Sequence, residues 1–213
     1  MSKAKFISIE GIEGAGKSTV IDFIKSFLQN VGIDHYLTRE PGGTPLAETL
    51  REILLYPETN EVIEPTTELL LMFAGREQHI KQRILPNLQE GRWVVSDRYV
   101  DASYAYQGGG RNMDVRLISY LDKYVVGHVY PDITLLLDVT PEMGFTRTAK
   151  RSTDKDRIEQ EQVDFFHRVR DVYLERAAQD PARIKIINAS LALPEVEKQI
   201  AVVLNELIAS VTE

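Results

Sequence analysis

The stretch EGIEGAGKST, Glu10 to Thr19, carries the spacing Gly11-x4-Gly16-Lys17-Ser18, and residues of these types at these intervals bind nucleotide phosphates. Glycines let the backbone turn so that successive N–H groups point inward along Gly11, Ile12, Glu13, Gly14, Ala15, Gly16, Lys17, Ser18 and Thr19. A helix starting at about Lys17 adds positive potential, Lys17 reaches terminal phosphates, and the Ser18 hydroxyl can ligate Mg²⁺. Two further groups have the chemistry of an acceptor site. TREPGGT supplies Arg39 and Glu40, and SDRY supplies Asp97 and Arg98. Glu13 is the odd member, because a carboxylate inside a phosphate-binding loop repels the ligand unless a second substrate lies alongside.

These residues need elements that bring them together. Phe6-Ile7-Ser8-Ile9, His35-Tyr36-Leu37-Thr38, Trp93-Val94-Val95, Ile133 to Leu137 and Ile184 to Ile187 read as strands, separated by segments of helical period. After the loop, Val20, Ile21, Ile24, Phe27, Leu28 and Val31 recur at helical intervals and Gly32 stops the helix. Glu64-Pro65 opens the longest helical pattern, with Leu69, Phe73, Ile80, Ile84 and Leu88 on one face, ending near Gly91. A last helix carries Val196, Ile200, Val203, Leu207 and Val211. Strands that are apolar almost throughout, alternating with helices, predict an α/β fold with a mostly parallel sheet covered on both faces. In such a sheet the carboxyl ends of strands line the ligand crevice, so Arg39, Glu40, Asp97 and Arg98 converge on the loop after the first strand.

With 213 residues and 43% hydrophobic composition, one domain spanning residues 1–213 is expected. A net charge of −7 and a pI near 5.2 argue against a nucleic-acid polymer as partner. Without cysteine, disulfides and thiolate metal sites are excluded. No stretch suits a signal peptide or approaches the roughly 20 apolar residues of a membrane helix, so a soluble, cytoplasmic protein without a membrane partner is expected. A GTPase switch would need Asp-x-x-Gly and Asn-Lys-x-Asp, and neither occurs. What remains is a small-molecule phosphotransferase, with a catalytically idle nucleotide sensor as the rival of another class.

EGIEGAGKST, TREPGGTPLAE, LLLMFAGR, SDRYVDASYAYQGGGR, PDITLLLDV and DRIEQE, in that order, closely resemble the bacterial form of thymidylate kinase over essentially the whole chain. The resemblance implies a P-loop nucleoside-monophosphate-kinase fold: a five-stranded parallel sheet flanked by helices, with a mobile lid at about residues 147–158. It also implies homodimers and the reaction of Mg·ATP with dTMP to give ADP and dTDP. Glu13 then has a use, accepting a hydrogen bond from the sugar 3′-hydroxyl or orienting Mg²⁺-bound water. Thymine O4 is an acceptor where cytosine has a donor, so Arg76 at the base edge selects thymine over cytosine. Phe73, three residues earlier on the same helical face, offers a ring to the base, a role that Met72 shares or replaces where relatives carry an aromatic. Ser103 and Gln107 serve the rest of the base edge, and Tyr106 crowds a ribose 2′-hydroxyl. Arg39 and Arg98 grip the dTMP phosphate, Lys17 the ATP phosphates, and Ser18 and Asp97 hold Mg²⁺ directly or through water. Glu40 orients Arg39 or metal-bound water. A kinase for dCMP or a free deoxynucleoside is the nearer rival, disfavoured by the base-edge donors and the paired arginines.

The P-loop itself carries no arginine. Some thymidylate kinases place a catalytic arginine there, whereas relatives resembling this chain supply it from the lid. The polar insertion KRSTDKDR, Lys150 to Arg157, follows Arg147. Arg151 is expected to cover the transferring phosphoryl group, with Arg147 on the preceding helix also at the ATP site and Arg157 at the start of the next helix.

Overall fold

The computed structural model describes residues 4–57, 62–149 and 156–212. Five strands form one sheet: β1 (Phe6–Glu10), β2 (His35–Arg39), β3 (Trp93–Asp97), β4 (Ile133–Asp138) and β5 (Ile184–Asn188). All pairings are parallel, in the order β2-β3-β1-β4-β5. Nine α-helices accompany them among the described residues: α1 (Lys17–Asn30), α2 (Pro45–Leu55), α3 (Pro65–His79), α4 (Leu85–Gln89), α5 (Val100–Ser103), α6 (Val115–Leu121), α7 (Pro141–Thr148), α8 (Val163–Gln179) and α9 (Leu193–Thr212).

Alternation along the strands sends side chains into two cores. Phe6 and Val94 meet Leu69, Phe73 and Ile80 on one face of the sheet. Ile7, Ile9 and Val95 meet Val20, Ile24 and Leu28 of α1, with α8 and α9 beside them, on the other. Val31, expected on the buried stripe of α1, is instead half-exposed, because α1 stops at Asn30 and Gly32 turns the chain away with a φ of +73°.

The long helix from Pro65 is broken in type though not in course. After α3 the segment Ile80–Ile84 is π-helical, and α4 continues to Gln89. Pro86 accounts for the change, since it has no N–H and its ring would press on the carbonyl four residues back. A second π-helical segment, Tyr104–Gly110, extends α5 and carries Tyr106 and Gln107. Gly109 and Gly110 are required by α8. A Cβ at Gly109 would lie 2.7 Å from the Arg168 carbonyl oxygen, and one at Gly110 would lie 2.4 Å from Phe165.

Candidate active site

The carboxyl ends of β1, β2 and β3 open into a cavity of about 380 Å³. Register aligns them: Ile9 lies opposite Asp97, and Asp97 opposite Arg39. The chain leaves β1 toward β2 on one side and leaves β3 toward β4 on the other, so the crevice falls where the strand order reverses.

Between β1 and α1 the P-loop takes the shape its glycines permit. Gly11, Gly14 and Gly16 have φ of +139°, +76° and +92°, conformations that side chains resist. Gly14 also lies against α7, where an added Cβ would sit 2.2 Å from the Gly144 carbonyl oxygen. Glu13, Gly14, Gly16, Lys17 and Ser18 face the cavity, whereas Gly11, Ile12, Ala15 and Thr19 do not. Lys17 folds over the loop, its ammonium donating to the carbonyls of Gly11 at 3.2 Å and Ile12 at 3.3 Å. Burial, and then the nearby Arg98, push its pKa down, so a bound anion restores what the site withholds from the charged form.

Asp97 reaches the cavity with one carboxylate oxygen buried and without a hydrogen-bond partner. Asp97 and the exposed Ser18 line the same cavity, and such oxygen donors fit Mg²⁺, which takes one or two protein oxygens and completes its shell with water and phosphate. Among the described residues no group of three or more His, Asp or Glu gathers into a protein-only metal cage.

Arg98 and Glu13 form the centre. Arg98 is held at φ +68°, a costly backbone for a residue with a side chain, and Ser96 fixes it by donating to the Arg98 carbonyl at 2.7 Å. Its guanidinium donates to Gly11 O at 2.8 Å and Glu13 Oε1 at 2.6 Å and lies 4.7 Å from the Tyr106 ring centroid. The Tyr106 hydroxyl in turn donates to Glu13, 2.8 Å from Oε2. Burial opposes the charge on Arg98, but Tyr106 and Glu13 outweigh it and its pKa is raised. Glu13 is therefore no solvated loop acid.

Arg39 is half-exposed and pairs with Glu48 at 2.7 Å. Arg51 of α2 lines the cavity beside it and donates to the Pro41 carbonyl at 2.9 Å; burial and then Arg39 lower its pKa. Sequence reasoning missed this residue. The available signal was an arginine on the same helical stripe as the buried Ala47, Leu54 and Leu55.

At the far end Arg76 is buried, donating to Glu40 Oε2 at 2.7 Å and Ser103 Oγ at 3.0 Å. Phe73 does not stand where it was expected. It is 2% exposed, off the cavity wall, and its ring lies 4.6 Å from the Arg76 guanidinium. Residues three apart on a helix stack on one another, so the ring covers the arginine and Met72 faces the cavity. Glu40 likewise orients Arg76 and His79 rather than Arg39, because it turns inward from the strand end while Arg39, half-exposed on the cavity wall, pairs with Glu48. Burial works to raise the Glu40 pKa, but Arg76 and His79 overcome it and hold the carboxyl ionised. Ser103, Tyr106 and Gln107 all line the cavity, and Gln107 donates to the buried Glu68 at 2.8 Å.

Arg147 lies on α7 and donates to Gly14 O at 3.4 Å and Ala189 O at 2.9 Å, tying the P-loop to the loop after β5. Arg157 is not at a helix start. It sits in a turn before α8, donating to the Leu54 carbonyl at 2.8 Å and pairing with Glu68. Arg151, with the rest of residues 150–155 in the expected lid, lies outside the described residues.

Residues 9–200 match the family model for thymidylate kinase. A thymidylate kinase of Vesicomyosocius okutanii is 53% identical over 97% of this chain and 100% of its own. One of Neisseria meningitidis is 51% identical over 95% and 97%. The crystal structure of thymidylate kinase from Ehrlichia chaffeensis superposes with a TM-score of 0.75 at 32% identity, covering 95% of this chain and 98% of that one. Near-complete coverage in sequence and in fold, around a P-loop nucleoside-monophosphate-kinase site, makes this chain a kinase that belongs to the thymidylate kinase family.

Proposed function

We propose that the chain transfers the γ-phosphoryl group of ATP to dTMP, giving ADP and dTDP, as a Mg²⁺-dependent step of dTTP synthesis. One observation carries the reading: a single cavity joins the P-loop to the Arg76, Ser103 and Gln107 cluster, with Arg98, Glu13 and Tyr106 between them. It spans a monophosphate held by its base at one end and meeting ATP at the other.

The acceptor is an already ionised phosphate oxygen, so no side chain has to remove a proton. The demand is to bring two anions together and to neutralise charge on the transferring group. Lys17 binds the ATP phosphates, while Arg98, Arg39 and Arg51 bind the dTMP phosphate. Arg76 donates to thymine O4, Met72 gives the base an apolar surface, and Tyr106 closes the space a ribose 2′-hydroxyl would need. Glu13 accepts from the sugar 3′-hydroxyl or holds metal-bound water. Ser18 and Asp97 would hold Mg²⁺, which when bound would supply charge neutralisation to the phosphates. Arg151, carried by a lid at about 147–158 on a single domain of residues 1–213, covers the transferring phosphoryl group.

The working form is a homodimer with α3 in its interface. Leu70 on α3, and Leu46 and Ile53 on α2, are about half-exposed and supply apolar surface for it; sedimentation as a monomer at micromolar concentration contradicts this. A cytoplasmic location belongs to the same reading; among the described residues no helix is long and apolar enough to cross a membrane. The reaction is tested by ADP release with dTMP, dCMP and thymidine, with and without Mg²⁺. Release is expected with dTMP and Mg²⁺ together, and release independent of the acceptor counts against the reading.

A further inference from the structure

Behind the base end of the cavity, His79 is fully buried and bonded on both ring nitrogens. Nε2 meets Thr38 Oγ1 at 2.6 Å and Nδ1 meets Glu40 Oε1 at 2.9 Å. Glu40 Oε2 accepts from Arg76 Nε at 2.7 Å, and Arg76 reaches Ser103 Oγ at 3.0 Å. Side-chain hydrogen bonds therefore run unbroken from Thr38 on β2 through α3 to Ser103. The room for the ring is made by the backbone. A Cβ at Gly43 would lie 2.6 Å from His79 Cδ2 and Nε2 and 2.7 Å from Thr38 Oγ1, so the turn after β2 takes a bare glycine at φ +86° there.

Chemistry fixes the polarity of the chain. Arg76 and His79 hold the Glu40 carboxyl ionised, so both its oxygens only accept. Nδ1 of His79 must then carry a proton, and in the neutral ring Nε2 accepts from the Thr38 hydroxyl. A carboxylate held by one oxygen alone swings about its terminal torsion, which is broad. Held at both oxygens, it presents a fixed acceptor to Arg76 Nε and leaves the rest of the guanidinium fork in one orientation.

We propose that His79 is a positioning residue for base selection, holding Glu40 so that Arg76 keeps the orientation in which it donates to thymine O4. This rests on the reading of Arg76 as the base-edge donor. His79 is not on the cavity wall and acts only through Glu40 and Arg76.

The experiment measures KM for dTMP and for ATP in wild type, His79→Leu, His79→Asn, Arg76→Ala and the double variant His79→Leu/Arg76→Ala. His79→Leu should raise the dTMP KM about tenfold, the scale of a lost hydrogen bond to a charged group, with the ATP KM changed less than about twofold. His79→Asn should recover most of the loss, because its amide nitrogen still donates where Nδ1 does. In the Arg76→Ala background the His79→Leu effect should vanish. Equal rises for both substrates, or the same loss with and without Arg76, overturn the proposal. If Arg76→Ala itself leaves dTMP kinetics unchanged, the base-edge reading falls and the proposal with it; if Arg76→Ala is impaired while His79→Leu is not, only the proposal falls. Should His79→Leu fail to fold, Thr38→Val is expected to raise the dTMP KM in the same direction and less steeply, and no change overturns the chain. Nitrogen-15 NMR of the wild-type imidazole is expected to show a proton on Nδ1, and a ring protonated on Nε2 alone overturns it.

Discussion

Glu13 shares its two oxygens between Arg98 and Tyr106, so its charge organises the cavity as well as meeting a ligand. Glu13→Gln keeps an acceptor and loses the ion pair, and it is expected to lower turnover with dTMP far more than it weakens ATP binding, read by kcat against an ATP-analogue Kd. Unaltered turnover would return Glu13 to a passive role. Arg76→Ala removes a buried charged donor, and the dTMP KM should rise by about 2–3 kcal/mol in binding terms while the ATP KM moves much less. Residues such as Lys17, Ser18, Asp97 and Arg98 were legible in the sequence because short motifs and strand ends fix their placement. The positions of Phe73, Glu40 and Arg51 were not. Each depends on which neighbour from another element occupies the space beside it, and helical spacing alone does not decide whether a ring faces a ligand or its own arginine.

At the scale of elements, the central strands β1, β3 and β4 were legible because buried parallel strands are apolar along nearly their whole length, and the edge strands β2 and β5, which are only partly buried, through their β-branched and aromatic residues. The π-helical segments were not, since nothing in YAYQGGG reads as a helix until α8 is seen lying across it. That contact makes a prediction. Gly109→Ala forces a Cβ against the Arg168 carbonyl, and overpacking of this kind should destabilise the fold by about 1–3 kcal/mol, read as a lower urea midpoint. An unchanged midpoint would mean that α8 yields without cost. The lid bears the second prediction. If Arg151 covers the transferring group, Arg151→Ala should slow single-turnover transfer on the order of 10³-fold, and lysine should restore only part of it. Near-normal transfer in Arg151→Ala with a defect in Arg147→Ala would move the role to α7.

Across the whole molecule, Glu10 records a cost of placing the site at the sheet's centre. It ends β1, is fully buried, and accepts from Tyr99 N at 2.7 Å and the Tyr173 hydroxyl at 2.6 Å. Burial, and then nearby Asp101, raise its pKa from 4.5 to about 8. Between those values the folded chain keeps a proton that the unfolded chain has lost, so this group withdraws stability as pH rises through the window and withdraws no more above about pH 8. Glu10→Gln does not titrate, and its urea midpoint should gain on the wild type between pH 5 and pH 8.5; parallel curves would contradict the burial of a neutral acid. The central claim is that one cavity holds both nucleotides and passes a phosphoryl group directly between them. Rapid-quench single turnover with γ-labelled ATP, Mg²⁺ and dTMP tests it most directly. The label should appear in dTDP in step with ADP, one for one, with no free phosphate; label released as inorganic phosphate, or ADP formed at the same rate without dTMP, would contradict it.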